Sequence, residues 1–156
     1  VDSLKKITLS DVEKFMEDEL VVIAPARHRW QDESEIDIDD VRQETIILRE
    51  QGSGTRKAIE DSLSIAGIKL TDLNIKMELG SSESIKAAVE AGLGISIISQ
   101  WTVLKEKKLG SLKILHLKVI KLNRNFAVIL KNNRFKTKTM EQFLDFLKRS
   151  ELRYAQ

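Results

Sequence analysis

Two short stretches combine small and hydroxyl-bearing residues in a way that suits an anion: Gly52-Ser53-Gly54-Thr55-Arg56 and Gly80-Ser81-Ser82. Each follows an apolar run of strand length and precedes a helix-period pattern, so each falls where a helix begins. The first N–H groups of a helix lack intrahelical acceptors and lie at the positive end of its dipole. An oxyanion or polar acceptor is favoured there. Glycine permits close backbone approach, Ser53, Thr55, Ser81 and Ser82 add hydroxyls, and Arg56 offers a bidentate cationic clamp. Helix capping is the competing reading, because Ser, Thr, Asp and Asn are favoured at helix starts whatever they bind. An isolated Arg such as Arg56 is more often a solvated surface charge. Glu83 opposes an anion by placing negative charge in the second helix's first turn. It is also the only carboxylate near enough in sequence to act as a general base.

Other constellations are weaker. The GSGTRK stretch lacks the four intervening residues and Lys-Ser/Thr ending of a phosphate-binding P-loop. Gly92-Leu93-Gly94 precedes a strand rather than opening a helix, so it is no dinucleotide fingerprint, and no G-x-S-x-G elbow is present. His28 and His116 stand too far apart for a close-spaced metal motif, and no metal or cofactor is expected. Lys105, Lys107 and Lys108 form a basic patch without interleaved aromatics and read as a solvated face.

The elements that must position the two turns follow from apolar patterning. Glu19–Pro25 reads as a buried strand ended by the sole proline. Gln31–Asp40 is a polar loop leading to a short helix around Asp39–Gln43. Thr45–Arg49 is a strand running into the first turn. A helix follows over Thr55–Ala66, burying Ala58, Ile59, Leu63 and Ala66 and ending at Gly67. The grammar then repeats: strand Leu73–Leu79, the second turn, helix Ser82–Ala91 with Ile85, Ala88 and Val89 inward, Gly92, and strand Gly94–Ile98. This βαβαβ series, with short connections and right-handed crossovers, predicts an α/β fold with a parallel sheet. Ligands of such sheets bind outside the carboxyl ends of the strands, where both turns fall. Beyond Gln100 the pattern predicts a short helix over Trp101–Lys108, strands at Leu112–Leu117 and Phe126–Leu130, and a closing helix over Thr137–Arg149. Met140, Phe143, Leu144 and Leu147 mark that helix's core face.

Composition bounds the remainder. The chain has 156 residues and a net charge of +2, too small for total charge to imply a nucleic-acid surface. With no Cys, disulfides, thiol nucleophiles and Cys-ligated metals are excluded. No apolar stretch approaches the roughly 20 residues of a membrane span. The opening Val1-Asp2-Ser3 leads us to expect a chain processed or cut from something longer.

These residues together resemble a family. Phe15-Met16-Glu17-Asp18-Glu19-Leu20-Val21-Val22-Ile23-Ala24-Pro25, then His28, resembles the segment by which LysR-type transcriptional regulators enter their second lobe. Ile47-Leu48-Arg49-Glu50-Gln51-Gly52-Ser53-Gly54-Thr55-Arg56 resembles the strand and first helix of that lobe. Ser84-Ile85-Lys86-Ala87-Ala88-Val89-Glu90-Ala91-Gly92-Leu93-Gly94-Ile95 resembles the helix and strand that follow. Each motif is degenerate alone, but the three in this order and spacing are specific, and the resemblance covers nearly the whole chain. The Arg-Glu-x-Gly-Ser-Gly-Thr-Arg stretch is most like the subset regulating sulfur assimilation or carbon fixation.

The resemblance implies a type 2 periplasmic-binding-protein-like fold, in which two α/β lobes are joined by crossing strands and a small effector binds in the cleft. The crossings fall at Leu20–Ala24 and near Phe126–Leu130, with a second lobe over 25–118 and a partial first lobe from 1–24 and 119–156. The implied ligand-binding residues are Ala24, at a hinge position where some relatives carry a hydroxyl, with Gly52, Ser53, Gly54, Thr55, Arg56, Gly80, Ser81 and Ser82. The family's helix-turn-helix and linker helix have no counterpart here, nor does the strand–helix–strand–helix stretch opening the first lobe. A truncated effector domain is therefore expected, with exposed apolar surface that drives self-association, most simply as a homodimer. The expected partner is a small anionic metabolite in the cytoplasm, and DNA is contacted only through the missing helix-turn-helix domain. Two alternatives stay open: the solute-binding protein of a transporter, and a small enzyme acting on an anionic substrate with Glu83 as base.

Overall fold

The computed structural model describes residues 9–131 and 137–154. The chain divides into two compact units, Asp18–Arg124 and Val1–Glu17 with Asn125–Gln156. The expected second lobe, 25–118, lies inside the first of these. That unit begins earlier and ends later because Leu20–Ala24 and Leu122 belong to its core. The ends of the expected first lobe, residues 1–8 and 155–156, lie outside the described residues, as do 132–136.

In the unit Asp18–Arg124 the repeated grammar forms as expected. Strand β1 (Leu9–Pro25) enters it, followed by β2 (Glu35–Ile36), α1 (Ile38–Arg42), β3 (Ile46–Arg49), α2 (Gly54–Ile65), β4 (Ile75–Leu79), α3 (Ser82–Glu90) and β5 (Ile95–Ser99). A 3-10 turn (Gln100–Val103), α4 (Leu104–Leu109) and β6 (Leu112–Leu117) complete it. The strands are ordered β2-β6-β1-β5-β3-β4. β3 runs parallel to both β4 and β5, whereas β1 runs antiparallel to β5 and β6. β2 lies within the stretch Gln31–Asp40 that the sequence predicts as loop. Two residues of ladder parallel to β6 leave no periodicity to detect.

Helices cover both faces, which explains the continuous apolar runs of β1, β3 and β5. Ile59 and Leu63 of α2 pack with Val22, Ala24, Ile46, Leu48, Ile95 and Ile97. Ile85, Ala88 and Val89 of α3 pack on the other face with Val21, Ile23, Ile47 and Ile98. Ser96, a buried polar residue of β5, donates its hydroxyl to the Ile47 carbonyl at 2.6 Å. Gly67 ends α2 at φ +75°, a left-handed conformation that glycine adopts without strain. At Gly94 the constraint is space: a Cβ there would lie 2.5 Å from the Thr45 carbonyl oxygen, which accepts the Ile95 N–H.

In the second unit, β1 pairs with β7 (Asn123–Lys131), and α5 (Lys138–Tyr154) closes the described chain. The stripe read as core on α5 is only partly so. Within it Phe143 is 58% exposed, while Met140, Leu144 and Leu147 are half-buried; Phe146, outside that stripe, is also exposed. Phe126 and Ile129 of β7 are also exposed.

Candidate functional site

Both turns lie at one end of the sheet, the carboxyl end of the parallel strands. Arg49 and Leu79 are in register, and the Glu50 N–H donates to the Leu79 carbonyl at 3.2 Å. The helices they open nevertheless cover opposite faces, so the two turns differ in their surroundings.

At the start of α2, Ser53 occupies the N-cap position, yet its side chain makes no capping hydrogen bond. Ser53 and Thr55 are each 8% exposed. The Thr55 hydroxyl accepts a hydrogen bond from Arg124 Nη1 at 2.9 Å. The same guanidinium donates through Nε to Asp18 Oδ2 at 2.7 Å. Asp18 is fully buried, and its Oδ1 accepts from the Ser99 hydroxyl at 2.7 Å. Ser99 is fixed in turn, since its Oγ accepts the Trp101 N–H at 3.2 Å. Four elements thus converge on one point: β1 supplies Asp18, the end of β5 Ser99, the start of α2 Thr55, and β7 Arg124. Antiparallel pairing of Leu20 with Ser99 brings Asp18 there. A buried carboxylate needs such partners, because an uncompensated charge in the interior is costly.

At the start of α3 the capping reading holds. Ser81 Oγ accepts the Ser84 N–H at 3.1 Å and shares a 2.8 Å hydrogen bond with the Ser84 hydroxyl. Ser82 is half-buried, Gly80 is exposed, and Glu83 is directed to Lys86 Nζ at 2.8 Å. Lys86 is itself buried, bonded to Glu106 Oε1 and the Thr102 carbonyl, each at 2.9 Å. Burial lowers the Lys86 pKa, but hydrogen bonds and charge from Glu83 and Glu106 outweigh it and leave the pKa raised. Glu83 is therefore an ion-pair partner on the α3 face, away from Ser53.

Arg56 and Ala24 do not join Thr55. The Arg56 guanidinium bonds Glu78 Oε1 at 2.6 Å, Glu60 Oε1 at 3.2 Å and the Arg49 carbonyl at 3.1 Å, which clamps α2 to β4. Its pKa is raised, chiefly by the hydrogen bond to Glu78. Ala24 is fully buried in the α2-side core and pairs with Lys113. Because β1 runs antiparallel to β5, Ala24 lies towards the sheet end remote from Ser99. Asp18, not Ala24, is the β1 residue at the start of α2. Gly52 and Gly54 are exposed there, and no atom lies within 4 Å of where a Gly54 Cβ would stand.

The histidines pair with carboxylates separately, His28 Nε2 with Glu44 at 3.5 Å and His116 Nδ1 with Glu19 at 2.9 Å. Among the described residues no group of three or more His, Asp or Glu is arranged to hold a metal ion. None of the described helices is long and apolar enough to cross a membrane.

Sequence reading missed Asp18, Ser99 and Arg124. The available signal was a pair of carboxylates, Asp18-Glu19, leading into a wholly apolar run, Leu20-Val21-Val22-Ile23, and a serine ending β5.

Comparison with known proteins agrees with this architecture. The LysR substrate binding domain model matches residues 8–151. The HTH-type transcriptional activator CmpR of Synechocystis is 36% identical over 137 residues, 88% of this chain and 44% of the relative. The HTH-type transcriptional regulator CbbR of Rhizobium meliloti is 39% identical over 140 residues, 90% of this chain and 44% of the relative. The chain thus spans less than half the length of these relatives. Among solved structures, the Synechocystis CcmR regulatory domain in complex with 2-PG superposes with a TM-score of 0.79 at 32% identity, covering 94% of this chain and 69% of that one. The QuiR effector binding domain in complex with shikimate gives a TM-score of 0.73 at 19% identity, covering 92% and 66%, a likeness of fold. The fold is accordingly α/β and type 2 periplasmic-binding-protein-like. The chain belongs to the LysR substrate-binding domain family.

Proposed function

We propose that the chain is the ligand-sensing part of a transcriptional regulator and binds a small anionic metabolite at the start of α2. The carrying observation is the Thr55 hydroxyl held by Arg124 at 2.9 Å, beside a Ser53 hydroxyl not spent on capping. Ser53, Thr55, the first amides of α2 and the Arg124 guanidinium supply donors and positive potential, while exposed Gly54 leaves room for backbone approach. The ligands named for the CcmR and QuiR structures, 2-PG and shikimate, support a small polar effector. Ser81 and Ser82 stand outside this set because Ser81 caps its own helix. Binding acts on a DNA-binding domain outside this chain only as far as the ligand distinguishes two states of the protein. The regulator works in the cytoplasm without a cofactor.

Isothermal titration with 2-PG, shikimate, sulfate and phosphate tests this reading. Saturable binding of at least one without turnover supports the sensor, and turnover abolished by Glu83→Gln with binding retained revives an enzyme. The exposed Phe126, Ile129, Phe143 and Phe146 further support self-association. Sedimentation across a concentration series should show dimers, and a monomer throughout contradicts this.

A further inference from the structure

We propose that Asp18 is a built-in competitor of the bound anion, its carboxylate occupying the guanidinium that faces Thr55 and so setting the affinity threshold. This rests on the start of α2 being the binding site. Arg124 donates both to the Thr55 hydroxyl at 2.9 Å and to the Asp18 carboxylate at 2.7 Å. Asp18 has no exposed surface and Ser99 holds its second oxygen, so it cannot swing away. An independent sign of a ligand here is Ser53, 8% exposed and without a capping bond, whereas Ser81 in the equivalent position has one.

A buried ion pair contributes little net stability compared with an apolar pair of similar volume. Its effect on Arg124 is a better reason for a carboxylate at this place. An oxyanion at Thr55 is attracted by Arg124 and repelled by Asp18 through a partly desolvated region, where both terms exceed their values in water. Only ligands that out-compete an internal carboxylate are then retained, which filters weakly charged or poorly shaped anions. Asp18→Asn keeps the volume and, through its one oxygen, the acceptor for Arg124, while its NH2 faces a Ser99 hydroxyl that can turn to accept, and the opposing charge is removed.

The test is titration of inorganic sulfate into the chain and into Asp18→Asn, Arg124→Gln, the double variant and Thr55→Ala. Asp18→Asn should bind sulfate on the order of tenfold tighter, and the gain should vanish in the double variant. Equal or weaker binding by a folded Asp18→Asn chain overturns the proposal, as does no sulfate binding by either. Should Asp18→Asn fail to fold, the Arg124 side-chain Nε–H resonance of the unmodified chain decides. Movement on sulfate saturation supports competition, and a stationary signal overturns it. Unchanged sulfate affinity in Thr55→Ala instead removes the site itself, whereas lost affinity there without tightening in Asp18→Asn removes only the competitor.

Discussion

Thr55 and Arg124, 69 positions apart in sequence, meet through a 2.9 Å hydrogen bond from the guanidinium to the threonine hydroxyl. The contact ties the first turn of α2 to the strand by which the chain leaves the unit Asp18–Arg124. The Thr55 hydroxyl accepts from Arg124 and keeps its own O–H to donate, so an anion bound to it sits beside the guanidinium.

The two helix-start serines should separate cleanly. Ser81→Ala removes a real cap and should lower stability by about 1 kcal/mol without altering anion affinity. Ser53→Ala removes no cap, so its thermal midpoint should stay near that of the parent while affinity falls. Melting curves paired with titrations measure both effects, and the reverse pattern contradicts the assignment.

Two glycines offer a second contrast. Gly94→Ala forces a Cβ to within 2.5 Å of the Thr45 carbonyl oxygen, a backbone atom that can move only with β3. Overpacking of this kind costs about 1–3 kcal/mol, measurable by urea unfolding. Gly54→Ala meets nothing within 4 Å and should fold normally. Its methyl should nevertheless impede a ligand approaching the α2 amides and weaken binding.

The Lys86–Glu106 pair sets a pH dependence. Burial raises the Glu106 pKa, but hydrogen bonding and charge from Lys86 outweigh it, and the net shift is downward. A group depressed in the folded state stabilises above its unfolded pKa, so this contribution is lost as pH falls from about 4.3 through the lower folded value. Lys86 is shifted up, so its contribution persists to alkaline pH and is lost only as pH rises through its raised folded value. Glu106→Gln should flatten the acid arm of a stability profile. Glu106→Ala should cost about 1–3 kcal/mol at neutral pH, since Lys86 loses its buried carboxylate but keeps Glu83 and the Thr102 carbonyl. An acid arm unchanged in Glu106→Gln would assign it to other carboxylates.

The core of the fold is legible because its elements are local. β3, β4 and β5 are short apolar runs, and α2 and α3 carry Ile59, Leu63, Ile85 and Val89 at helical spacing between glycine-bearing turns. The site is legible only where it too is local, at Ser53 to Thr55. Asp18 lies 81 positions from Ser99 and 106 from Arg124, and the pairing of β1 with β5 and with β7 unites them. Arg56 shows the converse. Its place beside the glycine turn suggests a ligand, but the β3–β4 register sets Glu78 opposite Leu48, and Glu78 takes the guanidinium.

Amide-resolved titration of the chain with sulfate, repeated on Thr55→Ala, bears most directly on whether the start of α2 holds an anion. The largest shifts should fall on Gly54, Thr55 and Arg56, and Thr55→Ala should weaken binding by about 1.5–3 kcal/mol, the loss of a hydrogen bond to a charged group. Shifts confined to Gly80–Ser82 or to the far end of the sheet, with affinity unchanged in Thr55→Ala, would contradict it.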